Sequence, residues 1–399
     1  MKKKISVGAT IALMAIVATI TFSVTMVFSR GQFDTMMQDI KSREAVYTKL
    51  AEVDAKVRNN YIGEIDQNKL LDGISSGYMK GIGDRYAKYY TAEQYKKEVD
   101  SLNGNLVGIG VEIQKSESGY ILVHDVYQST PAQEAGLQAG DLITVVNGTQ
   151  VSMSNVSDMM DALQGEPGTT LTLTVRRNSE DISFEIVRRK FEVSTVKYRL
   201  VDSNAYIKIT QFTSATETQF AEAIANAQKD GATGIIFDLR DNPGGLVEAA
   251  TKMLDTLLPE GTIATATYAD GTTKVLATSD AHELNLPMVV LTNKNTASAA
   301  ELFTQALRDY DKSKSVGTTT YGKGVMQNIE QLSDGSAIEY TVATYATAKS
   351  ENFDGVGIKP DFEKEAGVDA ASMPTFENVT EDNDEQFKKA VEVVNTLKQ

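Results

Sequence analysis

The chain has no cysteine and only two histidines in 399 residues. Without cysteine there are no disulfides, no zinc held by thiolates and no thiol nucleophile. With so little histidine, Ser–His chemistry has few candidates. His124 stands beside a strand-like stretch, and His282 lies in the polar loop Asp280-Ala281-His282-Glu283. Neither has a partner at metal-ligand spacing, and H-E-x-x-H fails because no second histidine follows. A Ser–His–Asp triad through His282 has only that loop to stand on. No metal or other cofactor is expected. Clustered Lys and Arg are also missing. A net charge of −15 argues against nucleic acid as a partner, because phosphate contacts need a basic patch. Internal repeats and low complexity are absent. For nucleophilic chemistry, a serine activated by a lysine remains available.

What is present begins with 41 % hydrophobic residues, enough for real cores in two or three domains. Lys2, Lys3 and Lys4 precede an uncharged run from Ile5 to Phe28. As a helix that run spans about 36 Å, enough for a bilayer. Lysines before the span place the N-terminus in the cytoplasm and the rest outside. The exit Val24-Thr25-Met26-Val27-Phe28-Ser29-Arg30 lacks an A-x-A-like cleavage site, which favours an uncleaved anchor over a signal peptide. The expectation is a single-pass cell-membrane protein with a transmembrane helix in residues 1–30. A buried soluble helix is the bland alternative, and the flanking lysines argue against it.

Residues 31–102 read as a helical region. Phe33, Met36, Met37, Ile40, Ala45, Leu50, Val53 and Val57 recur near helical spacing. Such a helix suits a stalk or the arm of a homo-oligomer, and equally a helix packed on the body. A second helix is expected over Asn68–Ile82. Thr91 fits an N-cap for a third, after Gly83-Asp84-Arg85-Tyr86-Ala87-Lys88-Tyr89-Tyr90.

Residues 103–189 read as a β-rich module. Val107 to Ile113 alternates as a strand, and Tyr120–Val123 is a second. Pro131–Leu137 is a short helix closed by Gly136. Gly140–Gly148 is a strand running into an Asn-Gly turn. Val156–Leu163 is helical, and Leu171–Arg177 with Ile182–Arg188 form a hairpin. Gly108-Ile109-Gly110, Ala135-Gly136-Leu137, Gly140-Asp141 and Val146-Asn147-Gly148 together resemble a PDZ domain. That resemblance implies that Val107, Gly108, Ile109 and Gly110 present backbone N–H groups to the carboxylate of a peptide C-terminus, the peptide adding as an edge strand. A module used only for packing is the alternative.

From residue 190 to 370 strands and helices alternate. Strands are expected at Ala205–Phe212, Gly234–Leu239, Met288–Leu291, Ser315–Thr320 and Ile338–Tyr345. Helices are expected at Thr216–Lys229, Leu246–Leu258 and Ala299–Tyr310. Continuous apolar strands in this order indicate an α/β layer. Residues 371–399 read as an acidic tail with a helix from Glu385 to Leu397.

Three segments carry the chemistry. Ser298, in Asn295-Thr296-Ala297-Ser298-Ala299-Ala300-Glu301, opens a helix after a buried strand. With Glu301 it fits a capping box, which is its structural reading. At that helix N-terminus the N–H of Ala299 is also free to meet an oxyanion. The helix Ala299–Tyr310 carries the chain about 18 Å away and a returning strand brings it back about 20 Å, so Lys323 regains the level of Ser298. Glycines at 322 and 324 let that loop pass close to a neighbour. Elsewhere Lys323 would be a surface lysine; as a base it must be neutral, hence desolvated. Gln327, four residues on, is placed to orient the amine. Gly317-Thr318-Thr319-Thr320-Tyr321-Gly322-Lys323 starts like a phosphate loop, but Gly324 replaces the Ser or Thr and a strand follows where a helix is needed. The third segment, Asp238-Leu239-Arg240-Asp241-Asn242-Pro243-Gly244-Gly245-Leu246, is a strand, a tight turn and a helix. It reaches the strand edge where sites gather and offers a second oxyanion donor, or is a plain connection.

These three segments, with Ser333-Asp334-Gly335-Ser336 and Gly357-Ile358-Lys359-Pro360-Asp361, resemble the carboxyl-terminal (tail-specific) processing serine peptidases from about Asn59 to Asp361. Ala300 departs from their frequent S-A-S-E pattern. The resemblance implies an α/β (α+β mixed) peptidase core with an inserted PDZ domain. It implies Ser298 as nucleophile, Lys323 as general base, Gln327 as its positioning partner, and an oxyanion hole of the Gly245 and Ala299 amides. Proteins or peptides with free C-termini are then the substrates, cleaved outside the cytoplasm. The rival readings are an inactive PDZ adaptor that binds C-termini without cutting them, and a small-ligand-binding protein on the same core.

Overall fold

A computed structural model of the chain describes residues 43–367 and 374–398, with positions 8, 14, 21, 22, 25, 26 and 41. The expected membrane segment, residues 1–30, lies outside the described residues apart from six of those positions. Among the described residues no helix is long and apolar enough to cross a membrane.

Residues 1–71 and 72–399 form two compact units. In the first, residues 43–60 are helical, and Val46, Leu50, Val53 and Val57 are exposed. An Asp54–Arg58 ion pair at 2.8 Å spans one turn of this helix.

The second unit is built on a six-stranded sheet. Its order is Val196–Val201, Asn204–Ile209, Gly234–Asp238, Met288–Thr292, Ser313–Gly317 and Phe362–Glu363. The first pair is antiparallel and the rest are parallel, with Ile235 opposite Met288 and Asp238 opposite Leu291. Both central strands are buried at every residue, as parallel strands covered on two faces must be. Alternation sorts their side chains into two cores. Ile235, Phe237 and Val290 face the helices Thr216–Lys229, Val247–Asp255 and Ala299–Asp309, where Phe303 meets Phe237 edge-on at 5.5 Å. Ile236, Val289 and Leu291 face the helix Glu385–Leu397 through Phe387, Ala390 and Val394. The C-terminal helix is therefore a layer of the core, where sequence suggested a separate tail.

A second sheet lies beside the first. It contains Lys88–Tyr90, Ala337–Thr347, Gly261–Tyr268 and Thr273–Ser279, with Val325–Gln331 also paired to Ala337–Thr347. Lys88 sits opposite Glu339. So a strand that precedes the β-rich module belongs to a core sheet. The hairpin Gly261–Tyr268/Thr273–Ser279 had no expectation in the sequence.

The β-rich module has Val111–Lys115, Ile121–Val126, Leu142–Val146, Thr170–Arg177 and Glu180–Val187 in one sheet, with helices Pro131–Ala135 and Val156–Asp161. The single strand expected over residues 107–113 is two. Asn105–Gly108 pairs with Arg189–Glu192 in a ribbon that joins the module to the core, and the chain breaks at Gly110. Gly110 has φ +88°, and a Cβ there would lie 2.2 Å from Thr130 Cβ. The closing Gly136 is left-handed at φ 88°, as expected.

Candidate active site

The sheet order makes Asp238 and Thr292 end side by side, and both following loops emerge at that edge. They are stitched together. Thr296 Oγ1 donates to the Leu239 carbonyl (2.8 Å), and Ala297 N–H donates to the Asn242 carbonyl (2.9 Å). Asp241 accepts from the side-chain amides of Asn293 (2.9 Å) and Asn295 (2.7 Å). Buried Asn242 shapes the turn, donating to the Ile209 carbonyl and accepting Gly244 N–H, both at 2.8 Å.

Ser298 is delivered by this pairing. It is 8 % exposed and has φ 57° and ψ −120°, a left-handed position that a non-glycine residue holds only when its surroundings enforce it. Gly244 is one enforcer. A Cβ there would stand 2.7 Å from Ser298 Cβ and 3.0 Å from Ala299 N. Gly245 is another close approach, since its Cβ would lie 2.1 Å from the Phe212 carbonyl oxygen. Phe212 N–H donates to Gly244 O (2.9 Å), and Leu246 N–H donates to Phe212 O (2.8 Å). Neither Gly245 N–H nor Ala299 N–H is used by a hydrogen bond among the described residues. Two free amides thus flank a strained serine.

Glu301 was legible only as part of a capping box. Its carboxylate does accept Ser298 N–H at 2.8 Å. The Ser298 side chain faces the Glu301 amide in the other half of that box, but the amide hydrogen goes to the Ser298 carbonyl at 2.9 Å. The wholly buried carboxylate reaches further. It accepts Lys323 N–H (2.8 Å), Gly322 N–H (2.7 Å) and the Thr320 hydroxyl (2.5 Å). It is the clamp that brings the Lys323 loop to Ser298. No local pattern in the sequence announces those three partners.

The glycines beside Lys323 are required by closeness. A Cβ at Gly322 would lie 2.7 Å from Gly357 N, and one at Gly324 would lie 2.6 Å from Asn352 Nδ2. Tyr345 donates its hydroxyl to the Lys323 carbonyl at 2.7 Å. Burial pushes the Tyr345 phenol far up, and the Ser298 hydroxyl, a polar neighbour, pulls the other way. Burial also pushes the Lys323 amine below the ordinary lysine value. Glu339 and Asp84 act against that shift, whereas Lys88 and Arg85 add to it.

Lys323 Nζ makes no hydrogen bond or ion pair among the described residues. It stands over the ring of Tyr86, 4.8 Å from the centroid. Gln327, expected to orient the amine, donates instead to Thr341 Oγ1 at 3.2 Å. His282 lies in an exposed turn against Asp280 at 3.2 Å and has no hydrogen bond to Ser298.

Val107, Gly108, Ile109 and Gly110 line a cavity of about 730 Å³. Val107 and Gly108 sit in the ribbon, while the N–H groups of Ile109 and Gly110 are unused among the described residues. Val111, Ile113, Met160 and Leu163 give the cavity an apolar side. Lys88, Tyr89 and Tyr90 also line it.

Comparison with known proteins agrees with this layout. The model of peptidase family S41 matches residues 203–364, and a PDZ domain model matches residues 107–187. A Staphylococcus haemolyticus protein described as a CtpA-like serine protease is 32 % identical over 357 residues, covering 88 % of this chain and 70 % of that one. A Staphylococcus aureus protein of the same description is 34 % identical over 324 residues, covering 80 % of this chain. The match spans 65 % of that relative's length. Among solved structures, the photosystem II D1 C-terminal processing protease is similar with a TM-score of 0.50 and 25 % identity, over 80 % of this chain and 87 % of its own. A Bacteroides fragilis protein described as an S41 protease shares the fold, with a TM-score of 0.61 and 20 % identity over 81 % of this chain and 90 % of its own.

Proposed function

We propose, from the premise that this chain belongs to peptidase family S41 and carries a PDZ domain, that it is a serine endopeptidase of the Ser–Lys type acting on protein C-termini. The observation that carries the reading is the Glu301 carboxylate, which holds the backbones of Ser298 and Lys323 on one oxygen. In this reading Lys323 is neutral when it acts. It takes the proton from Ser298 Oγ as that oxygen attacks the substrate carbonyl. The carbonyl oxygen becomes an oxyanion and receives the free N–H groups of Gly245 and Ala299. Lys323 returns the proton to the leaving amine, and water, activated the same way, releases the acyl group. In this reading Gln327, in the strand Val325–Gln331, helps to orient the amine, which stays over Tyr86 as it acts. The PDZ cavity takes the substrate's terminal carboxylate on the Ile109 and Gly110 amides, with an apolar last side chain against Met160 and Leu163. Residues 1–30 anchor the chain in the cell membrane, with cleavage outside the cytoplasm.

A second reading is favoured by one observation: the Lys323 amine rests on Tyr86 without a hydrogen bond to Ser298. The chain would then bind C-termini without cutting them. The test uses the full-length protein and an unfolded reporter with an apolar C-terminus, free or amidated. Cleavage of the free form alone, lost in Ser298→Ala and in Lys323→Ala while both still bind the peptide, is the expected result. Binding without cleavage in the parent protein supports the adaptor. Turnover retained in either variant removes the dyad.

A further inference from the structure

The stretch Asp84–Tyr86 lies outside both matched regions and before the PDZ domain, yet it is built onto the Lys323 loop. The strand Lys88–Tyr90 fixes its place by pairing with Ala337–Thr347. Asp84 sets the turn, one oxygen accepting Tyr86 N–H (2.9 Å) and the other Thr341 N–H (2.7 Å). Arg85 reaches the Gly322 carbonyl (3.4 Å) and Asp354 (3.3 Å), and Asp354 in turn accepts Gly324 N–H (3.0 Å). The turn is thus fastened to both glycines that flank Lys323. Between those fastenings the Tyr86 ring lies under Lys323 Nζ at 4.8 Å and beside the Arg85 guanidinium at 4.6 Å. Its hydroxyl is buried without a hydrogen-bond partner.

We propose that Tyr86 is the positioning residue of Lys323, its ring face holding the amine in place inside the site. This rests on the reading of Lys323 as the base. A lysine side chain has four rotatable bonds and three donors, so without a partner its amine spreads over many positions. Among the described residues no oxygen holds it. An aromatic face attracts the ammonium of the resting site yet accepts no strong hydrogen bond, so it places the side chain while charged and leaves the lone pair of the neutral amine unengaged for the Ser298 proton. Glu339, Lys88, Asp84, Arg85 and Asp354 are the charged groups around this contact. Of the five, Arg85 shares the ring with the amine, and among the described residues none forms an ion pair with Lys323.

The test compares Tyr86→Leu and Tyr86→Phe in the full-length protein, reading kcat, KM, the pH profile and the melting temperature. Leucine keeps the apolar cover and leaves all five charged groups, but removes the face. It should lower kcat about tenfold or more with KM little changed, because the base is no longer placed. The acid limb of kcat/KM should move to lower pH, since the ring's attraction for the charged amine is gone. Tyr86→Phe should recover most of the rate and the parent limb, with a melting temperature no lower than the parent's. A merely structural role would lower stability without moving the limb. Should the Leu variant not fold, Tyr86→Met makes the same comparison. A Leu or Met variant with the parent's kcat and limb overturns the proposal, and so does a Phe variant as damaged as Leu. Activity retained in Lys323→Ala would instead remove the dyad itself, so the two failures are distinct.

Discussion

Ser298 and Lys323 meet on a single atom: each donates its backbone N–H to Oε2 of Glu301 at 2.8 Å. The other oxygen takes Gly322 N–H and the Thr320 hydroxyl. One carboxylate therefore satisfies four donors from two segments, which a Tyr321 N–H to Thr296 carbonyl bond (3.0 Å) also joins. A glutamine has one acceptor oxygen and an amide that would face donors. Glu301→Gln should cost about 3 kcal/mol, the loss of charge-assisted bonds with donors left buried. It should also slow labelling of Ser298 by a fluorophosphonate more than its loss of stability explains. Denaturant unfolding and labelling rates measured together test this. Parent values for both would show the clamp to be dispensable.

Gly244 touches the serine directly. Its φ of +99° and the 2.7 Å approach to Ser298 Cβ leave no room for a methyl group. Gly244→Ala should abolish cleavage and destabilise the fold by about 1–3 kcal/mol from backbone strain alone. Gly271→Ala is the matched control. It has φ +81° but nothing within 4 Å, so it carries strain without a clash. Cleavage by the control, and none by Gly244→Ala, is the expected pair. Equal activity in both would mean the serine does not depend on that contact.

The buried Lys323 amine weakens the fold. Burial lowers the Lys323 pKa below its ordinary value. Between that lowered value and the unfolded one, the unfolded chain binds more protons than the folded chain. Stability therefore rises with pH across that window, and the cost is fully present below it. Lys323→Met keeps the length and removes the charge. At neutral pH it should be inactive and melt higher by roughly 2–4 °C, the shift expected of about 1 kcal/mol. The gain should shrink as pH rises into the window. A lower melting temperature at neutral pH, with no pH trend, would mean that the amine carries no burial cost.

The sequence disclosed the parts governed by local rules. Buried stretches such as Met288–Leu291 are uniformly apolar, and the helix Thr216–Lys229 ends where its pattern ends. The Thr91 cap forms with Gln94, as its position suggested. Ser298, Lys323, Gly245 and Ala299 were legible as candidates because turn glycines and a helix start mark them. What stayed hidden depends on partners far away in the chain. Glu301 looked like half a cap because its other partners are 19 to 22 residues on. Tyr86 looked like one tyrosine among several, since pairings distant in the chain, such as Lys88 with Glu339 and Asp84 with Thr341, bring it to Lys323. The hairpin Gly261–Tyr268/Thr273–Ser279 is partly exposed, so no clean alternation marked it.

The acidic C-terminus illustrates the same limit and gives the last prediction. Arg240, almost wholly buried at the end of the strand Gly234–Asp238, lies between two carboxylates. It bonds Asp238 through Nε (2.9 Å) and Nη2 (2.7 Å), and Asp384 through Nη1 (2.7 Å). Burial alone would raise the Asp238 pKa; the charge and hydrogen bonds of Arg240 outweigh it and hold the carboxyl well below its ordinary value. That contribution is present above the unfolded value of about 3.9 and is lost as pH falls below it. Asp384 also caps the helix Glu385–Leu397, accepting from Gln386 N–H and Phe387 N–H. Asp384→Ala removes a buried counter-charge and a cap together, which should cost about 3–5 kcal/mol. Because Arg240 leads straight into the turn at Asn242 and Gly244, loosening it should also slow the reaction at Ser298. Hydrogen exchange should speed up in residues 385–397 and in the 238–245 turn. Exchange confined to the helix, with the parent's activity, would show that this network holds the helix alone and does not brace the active-site turn.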